Sequence, residues 1–120
     1  MHDIGIAGKT DADGLACASP SSLVTRIMTN HMAGVFTVSE AHLYDYLRDL
    51  NASEGIRIEP SSCASFAGSL GLLRFPDARA YCAMHGLTPE RLGNATQIAW
   101  ATGGRLVPEE IWIEYLATYR

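Results

Sequence analysis

The stretch NATQIAWATGGRLVPEE, Asn94 to Glu110, decides how the chain is read. Up to Ala101 it carries Ile98 and Trp100 in a β-compatible run, which Thr102-Gly103-Gly104 breaks. Pro108-Glu109-Glu110 then starts a final helix, with proline at the first helical position and two acids in the first turn, both favourable start signals. A hydroxyl at the carboxyl end of a strand, followed by two glycines, sits where open α/β sheets bind ligands. The glycines let backbone approach a flat ligand, and the hydroxyl can donate or accept a hydrogen bond. Taken alone, a strand that simply ends in a glycine turn explains the pattern better.

Working outward, other short β-prone runs alternate with helical patterns. Ile4 and Ile6 lie in an opening strand or loop entry, Asp3 to Lys9, and Asp13-Gly14 is a turn signal. Leu23, Val24, Ile27, Met28 and Met32 recur at helical spacing between Pro20 and Gly34. Val35 to Val38 is β-prone, and either Thr37, in a Thr-x-x-Glu capping box, or Ser39 caps the next helix. Leu43, Tyr46, Leu47 and Leu50 form its buried side, and Gly55 stops it. Ile56-Arg57-Ile58 reads as a strand, Pro60 to about Leu73 as a small-residue helix, and Asp77 to His85 as another. Pro89-Glu90-Arg91 reads as a turn, and Ile111, Trp112, Tyr115, Leu116 and Tyr119 supply the last helix's apolar face. Strands alternating with helices indicate an α/β chain. Three or four short strands make a thin sheet, which fits part of a domain.

Composition limits the chemistry. The 120 residues are 48% hydrophobic and 18% charged, a globular balance, and the net charge is −4. Nine lysines and arginines are too few for a dedicated phosphate-binding face, which disfavours nucleic acid and anionic membranes. The longest apolar runs are far short of the roughly 20 residues of a transmembrane helix. The opening Met-His-Asp-Ile-Gly has no signal-peptide pattern, and Cys17, Cys63 and Cys82 have no framework spacing, so cytoplasm is the expected location. Cys82-x-x-His85 has metal-like local spacing with no second pair, and a buried cysteine beside a surface histidine is the more economical reading. No Gly-x-Ser-x-Gly, Gly-x-Gly-x-x-Gly or P-loop pattern occurs. Lysine occurs once, as Lys9.

Three segments read together go further: Thr10 to Ala16 (TDADGLA), Ile56 to Ser61 (IRIEPS) and Trp100 to Glu110 (WATGGRLVPEE). Together with Val35 to Ser39, Leu43-Tyr44 and Met84-His85-Gly86, they resemble the C-terminal part of the D-serine dehydratases. These form a branch of the pyridoxal 5'-phosphate (PLP)-dependent serine/threonine dehydratase family. The resemblance covers nearly the whole chain in order, and its last block is the most specific.

The resemblance implies a partial three-layer sheet of the tryptophan-synthase-β-like (fold type II) class, with residues 1–120 forming the C-terminal part of a PLP-binding catalytic domain. It implies a lyase that turns D-serine into pyruvate and ammonia. Thr102 takes the place of the residue facing the pyridine nitrogen, Gly103 and Gly104 the wall beside the ring, and Asp13-Gly14 a loop near the cofactor. A neutral hydroxyl does not force that nitrogen to stay protonated, which suits an elimination whose β-hydroxyl leaves promptly. The family's Schiff-base lysine and glycine-rich phosphate loop belong to an N-terminal part that this sequence does not include. Lys9, beside the Ala-Asp-Gly motif, stands where the family places no such lysine. No catalytic residue is assigned to this chain, and no metal. The expectation is a fragment that is inactive alone, whose partner is a missing N-terminal half. The competing reading is a non-catalytic α/β binding or complementation module derived from such an enzyme. Cys17-Ala18-Ser19, Ser65 and Arg105 depart from the family's usual Val-Gly-Arg, glycine and glycine.

Overall fold

The protein is described from a computed structural model, which places residues 9–17 and 19–120. The predicted opening run over Asp3 to Lys9 therefore lies almost wholly outside the described residues, and Lys9 itself is exposed. A 3-10 turn over Asp13–Leu15 is followed by six helices. These are α1 (Ser22–Met28), α2 (Glu40–Glu54), α3 (Pro60–Arg74), α4 (Pro76–Met84), α5 (Pro89–Gly93) and α6 (Glu109–Ala117).

Local chemistry sets most of these boundaries. Ser21 caps α1 by accepting from the Val24 N–H, Ser39 caps α2 through the His42 N–H, and Thr88 caps α5 through the Arg91 N–H. The α2 cap is thus Ser39 and not the Thr37 box. Gly55, at φ +66°, takes the left-handed conformation that ends α2. Pro76 pushes Phe75 into an extended conformation (ψ 137°), which separates α3 from α4. α1 stops at Met28, six residues before the expected Gly34.

The expected α/β architecture, a partial three-layer sheet of fold type II, is not what the described residues form: they contain helices and no strand. The β-prone runs at 35–38, 56–58 and 94–101 are irregular chain. A strand exists only where a neighbour completes its ladder, and β-propensity largely reflects side-chain packing against such neighbours. Here Val35, Ile98 and Trp100 are 82%, 82% and 77% exposed, so that packing is missing. The chain just past two of these runs does meet, through the Glu59 N–H donating to the Gly103 carbonyl at 3.2 Å, but as a crossing and not a ladder.

The core is small. Leu43 and Leu47 of α2, Cys63 of α3, Trp112 of α6, and Ala12 and Ile58 from irregular chain are buried together. α2 lies between α3 and α6. Arg57 sits over the Trp112 ring, 5.3 Å from its centroid, and pairs with Glu109 on the surface. Tyr44, which the helical stripe omits, is also buried, with Tyr115 meeting its ring edge-on and Tyr119 at a tilt.

Much apolar surface is left uncovered. The stripe of α1 is exposed along its length, as are Leu73, Phe75 and Leu106. The accessible surface is 9166 Å², against about 6,300 Å² for a compact monomer of this mass. The radius of gyration is 16.0 Å, where about 14 Å is usual for this length.

Burial also shows in acid–base behaviour. Cys63 is fully buried, and this, helped by the Glu59 charge, pushes its thiol up to about 12 from an ordinary 9.0. Burial likewise raises Tyr44, with Asp11 adding to it, and Tyr115, with nearby carboxylates adding. Between pH 9 and 12 the unfolded chain therefore releases a Cys63 proton that the folded chain keeps. This group's contribution to stability should be flat below pH 9 and then fall as pH rises, by roughly 1 kcal/mol per pH unit. Denaturant midpoints measured from pH 7 to 11 check this, and a Cys63→Ala variant should lose part of the slope. An unchanged midpoint up to pH 11 would contradict it.

Candidate functional site

The site assembles at the first turn of α3. Pro60 at the helix start needs no amide partner, and the two serines that follow face different neighbours. Ser61 Oγ accepts from the Gly14 N–H at 3.2 Å. Ser62 Oγ accepts from the Thr102 N–H at 3.0 Å and the Gly103 N–H at 2.8 Å, and lies 3.0 Å from Thr102 Oγ1. It is also 3.1 Å from the Gly103 carbonyl, to which it can donate. Adjacent serines on one helical turn thus bind the Asp13-Gly14 turn and the Thr102-Gly103 segment. The three sequence segments singled out above, 10–16, 56–61 and 100–110, meet here.

Each predicted residue has a definite place. Thr102 is exposed at the rim while its partner Ser62 is 1% exposed. Gly103 passes the Glu59 carboxylate so closely that a Cβ there would sit 2.9 Å from Oε1. Gly104 has φ +130°, and a Cβ on it would lie 2.3 Å from Ile58 Cα. At Gly103 the flexible Glu59 side chain could move aside, so it is at Gly104, against the backbone of residues 58 and 59, that the crossing requires glycine. Asp13 accepts the Gly14 N–H at 2.7 Å, closing the turn on itself. Asp11, just before it, accepts from the buried Tyr44 hydroxyl at 3.0 Å, and its own N–H donates to Glu40. These bonds tie the segment to α2 on one side and α3 on the other.

Other candidates separate. Cys82 is buried against the Leu72 carbonyl, while His85 is exposed and stacks on Tyr81 with ring centroids 4.3 Å apart. No cluster of three metal-ligating side chains occurs among the described residues. A groove of about 770 Å³ lies among α3, α4 and α5 and is lined by residues such as Leu72, Cys82, Leu87 and Leu92. It is mostly apolar and does not include the α3 N-terminus, so it is not the polar convergence that marks a binding site. No helix among the described residues is long and apolar enough to cross a membrane.

Sequence reading did not single out Ser62, nor Glu59 as a neighbour of Gly103. The signal was a serine in the first turn of a proline-started helix. Nothing local tells which backbone, 40 residues away, such a serine will hold.

No protein-family profile matches the chain. Curated proteins do. It is 47% identical over 119 residues to the probable D-serine dehydratase of Fusobacterium nucleatum. It is 46% identical over all 120 residues to the D-serine dehydratase of Escherichia coli O6:H1. The chain is homologous to D-serine dehydratases along its whole length. A third relative, the probable D-serine dehydratase of Sinorhizobium medicae, is 40% identical over 97% of the chain. In each case the chain spans about a quarter of the relative's length, 26%. The match is consistent with a C-terminal portion of a D-serine dehydratase, a lyase.

Proposed function

We propose that this chain supplies one wall of the PLP site of a D-serine dehydratase, whose reaction turns D-serine into pyruvate and ammonia. The remaining three quarters of the enzyme would carry the Schiff-base lysine. The observation that supports this most is the convergence of segments 10–16, 56–61 and 100–110 on the first turn of α3, with the Thr102 hydroxyl presented outward from a buried serine. Cytoplasm is the compartment we propose, since Cys17, Cys63 and Cys82 are all unpaired.

The residues present fit the cofactor. A pyridine nitrogen needs a partner that can donate one hydrogen bond without carrying charge, and an exposed threonine hydroxyl anchored through its own backbone N–H meets that need. When bound, PLP draws electron density from the substrate's α-carbon so that its proton can leave. Thr102 would hold the ring nitrogen, and Gly103 and Gly104 would keep the backbone flush against Glu59 and Ile58 so that Thr102 stays in register. Asp13-Gly14, fixed on Ser61, would border the same site. A neutral partner leaves the ring a weaker electron sink than a carboxylate would, which favours prompt loss of the β-hydroxyl.

The exposed apolar stripe of α1 and the open runs at 35–38 and 94–101 are the surfaces this reading gives to the rest of the enzyme. A chimera tests it: these 120 residues replace the matching quarter of the Fusobacterium enzyme. The chimera should bind PLP and release pyruvate from D-serine. A soluble, PLP-loaded chimera with no turnover, beside an active parent, would contradict the proposal.

A further inference from the structure

We infer that Tyr44 is a positioning residue: its hydroxyl holds Asp11, and through Asp11 it sets the Asp13-Gly14 turn at the edge of the proposed site. The inference rests on the PLP reading above for what lies beside that turn. It is carried by a separate observation, a buried tyrosine whose hydrogen bond reaches from α2 to the residue two before Asp13.

Tyr44 is 3% exposed, and its hydroxyl donates to Asp11 Oδ2 at 3.0 Å. Asp11 is exposed, and no other acceptor among the described residues takes the Tyr44 proton. A buried hydroxyl is costly to leave unpaired, whereas an exposed carboxylate can turn to water. The tyrosine therefore decides where Asp11 sits. Burial, with the bond to Asp11 adding to it, holds the tyrosine's ionisation above the ordinary 10.0, so the hydroxyl keeps its proton and remains the donor at neutral pH.

The tyrosine is itself enclosed. The rings of Tyr115 and Tyr119 lie 5.9 and 5.3 Å from its ring, centroid to centroid. Tyr119 has φ 55°, the only positive φ outside glycine among the described residues, and such a conformation persists only where its surroundings enforce it. Arg48 supplies that constraint: it donates to the Thr118 carbonyl at 2.7 Å and is steadied by Asp45 at 2.7 Å. On the other side of Asp11 the chain enters the core at Ala12, 1% exposed, and the Gly14 N–H then reaches Ser61 Oγ at 3.2 Å. The turn is thus slung between α3, through Ser61, and α2, through Asp11. At the α2 end the bond from the Asp11 N–H to Glu40 lies in solvent, where water can replace it. The Tyr44 bond is the one that sets position.

The test uses the full-length chimera, read by amide hydrogen exchange and by PLP affinity. In Tyr44→Phe the amides of residues 11–15 should exchange about tenfold faster and PLP should bind about fivefold more weakly. The amides of Leu47 to Asn51, in the second half of α2, should keep the parent's rates, which a merely structural loss would not spare. Asp11→Ala should act at least as strongly, because it leaves the buried hydroxyl without an acceptor, and the double variant should be no worse than Asp11→Ala alone. Asp11→Asn, whose amide oxygen still accepts, should stay within about twofold of the parent. The Asp11 pair, at an exposed position, decides the matter where Tyr44→Phe does not fold. If exchange over 11–15 is unchanged, or rises equally along α2, the positioning role fails and the PLP reading stands. If exchange rises over 11–15 alone while PLP affinity holds, the turn does not border the cofactor and the inference is overturned. If the parent chimera itself holds no PLP, the PLP reading fails and takes this inference with it.

Discussion

Gly104→Ala is expected to destabilise the chain by about 3 kcal/mol or more, the sum of a strained backbone and a steric clash. Gly104 has φ +130°, a conformation that side chains avoid. Its new Cβ would meet Ile58 Cα at 2.3 Å, Glu59 N at 2.4 Å and Ile58 C at 2.5 Å. All three atoms are backbone, so no rotamer change relieves the contact. The chain would have to part at the crossing, which breaks the bond from Glu59 to Gly103 and carries Thr102 away from Ser62. Gly93 provides the contrast, since a Cβ there meets nothing within 4 Å. Gly93→Ala should be neutral or slightly stabilising. Denaturant midpoints of the two variants separate the cases, and a Gly104→Ala midpoint equal to that of the parent would contradict the crossing.

Trp112→Ala should cost about 3–5 kcal/mol, the usual range for emptying a buried tryptophan site. Trp112 is the largest fully buried side chain, and it joins α6 to the cluster of Leu43, Leu47, Ile58 and Cys63. The Arg57 guanidinium over its ring adds only about 0.5–1 kcal/mol, because Arg57 stays half in water. Most of the loss therefore comes from the cavity. Trp112→Phe, which keeps an aromatic ring but fills less space, should lose noticeably less. Chemical denaturation checks both, and a loss under about 1 kcal/mol for Trp112→Ala would show that α6 is not part of the core. Because α6 follows directly on the Thr102-Gly104 segment, its loosening should also raise the mobility of Thr102.

The helices were legible because their signals are local. Pro60, Pro89, Ser39 and Gly55 mark ends through their own backbone chemistry, and the 3.6-residue spacing of Leu43 and Leu47 shows which face is buried. The β-prone runs do not form strands, because such a run becomes a strand only beside a partner, and Val35, Ile98 and Trp100 have none among the described residues. The stripe of α1 had the spacing of a buried face, yet spacing shows only that one face is apolar. Thr102 and its glycines are visible as a pattern, but the reason for glycine at position 104 is not. It lies in Ile58 and Glu59, some 45 residues earlier in the chain. Ser62 was hidden for the same reason: its function is to hold backbone that is distant in sequence.

We propose that the Thr102 wall becomes a working site only when the remainder of a D-serine dehydratase closes over it. The most direct measurement is pyruvate released from D-serine, with PLP present, by this chain, by the other three quarters of the Escherichia coli O6:H1 relative, and by the two mixed. No pyruvate is expected from either part alone, and from the mixture a rate that rises with added chain and saturates at one chain per remainder. Pyruvate from this chain alone, or none from a mixture that forms a stable PLP-bound complex, would contradict it.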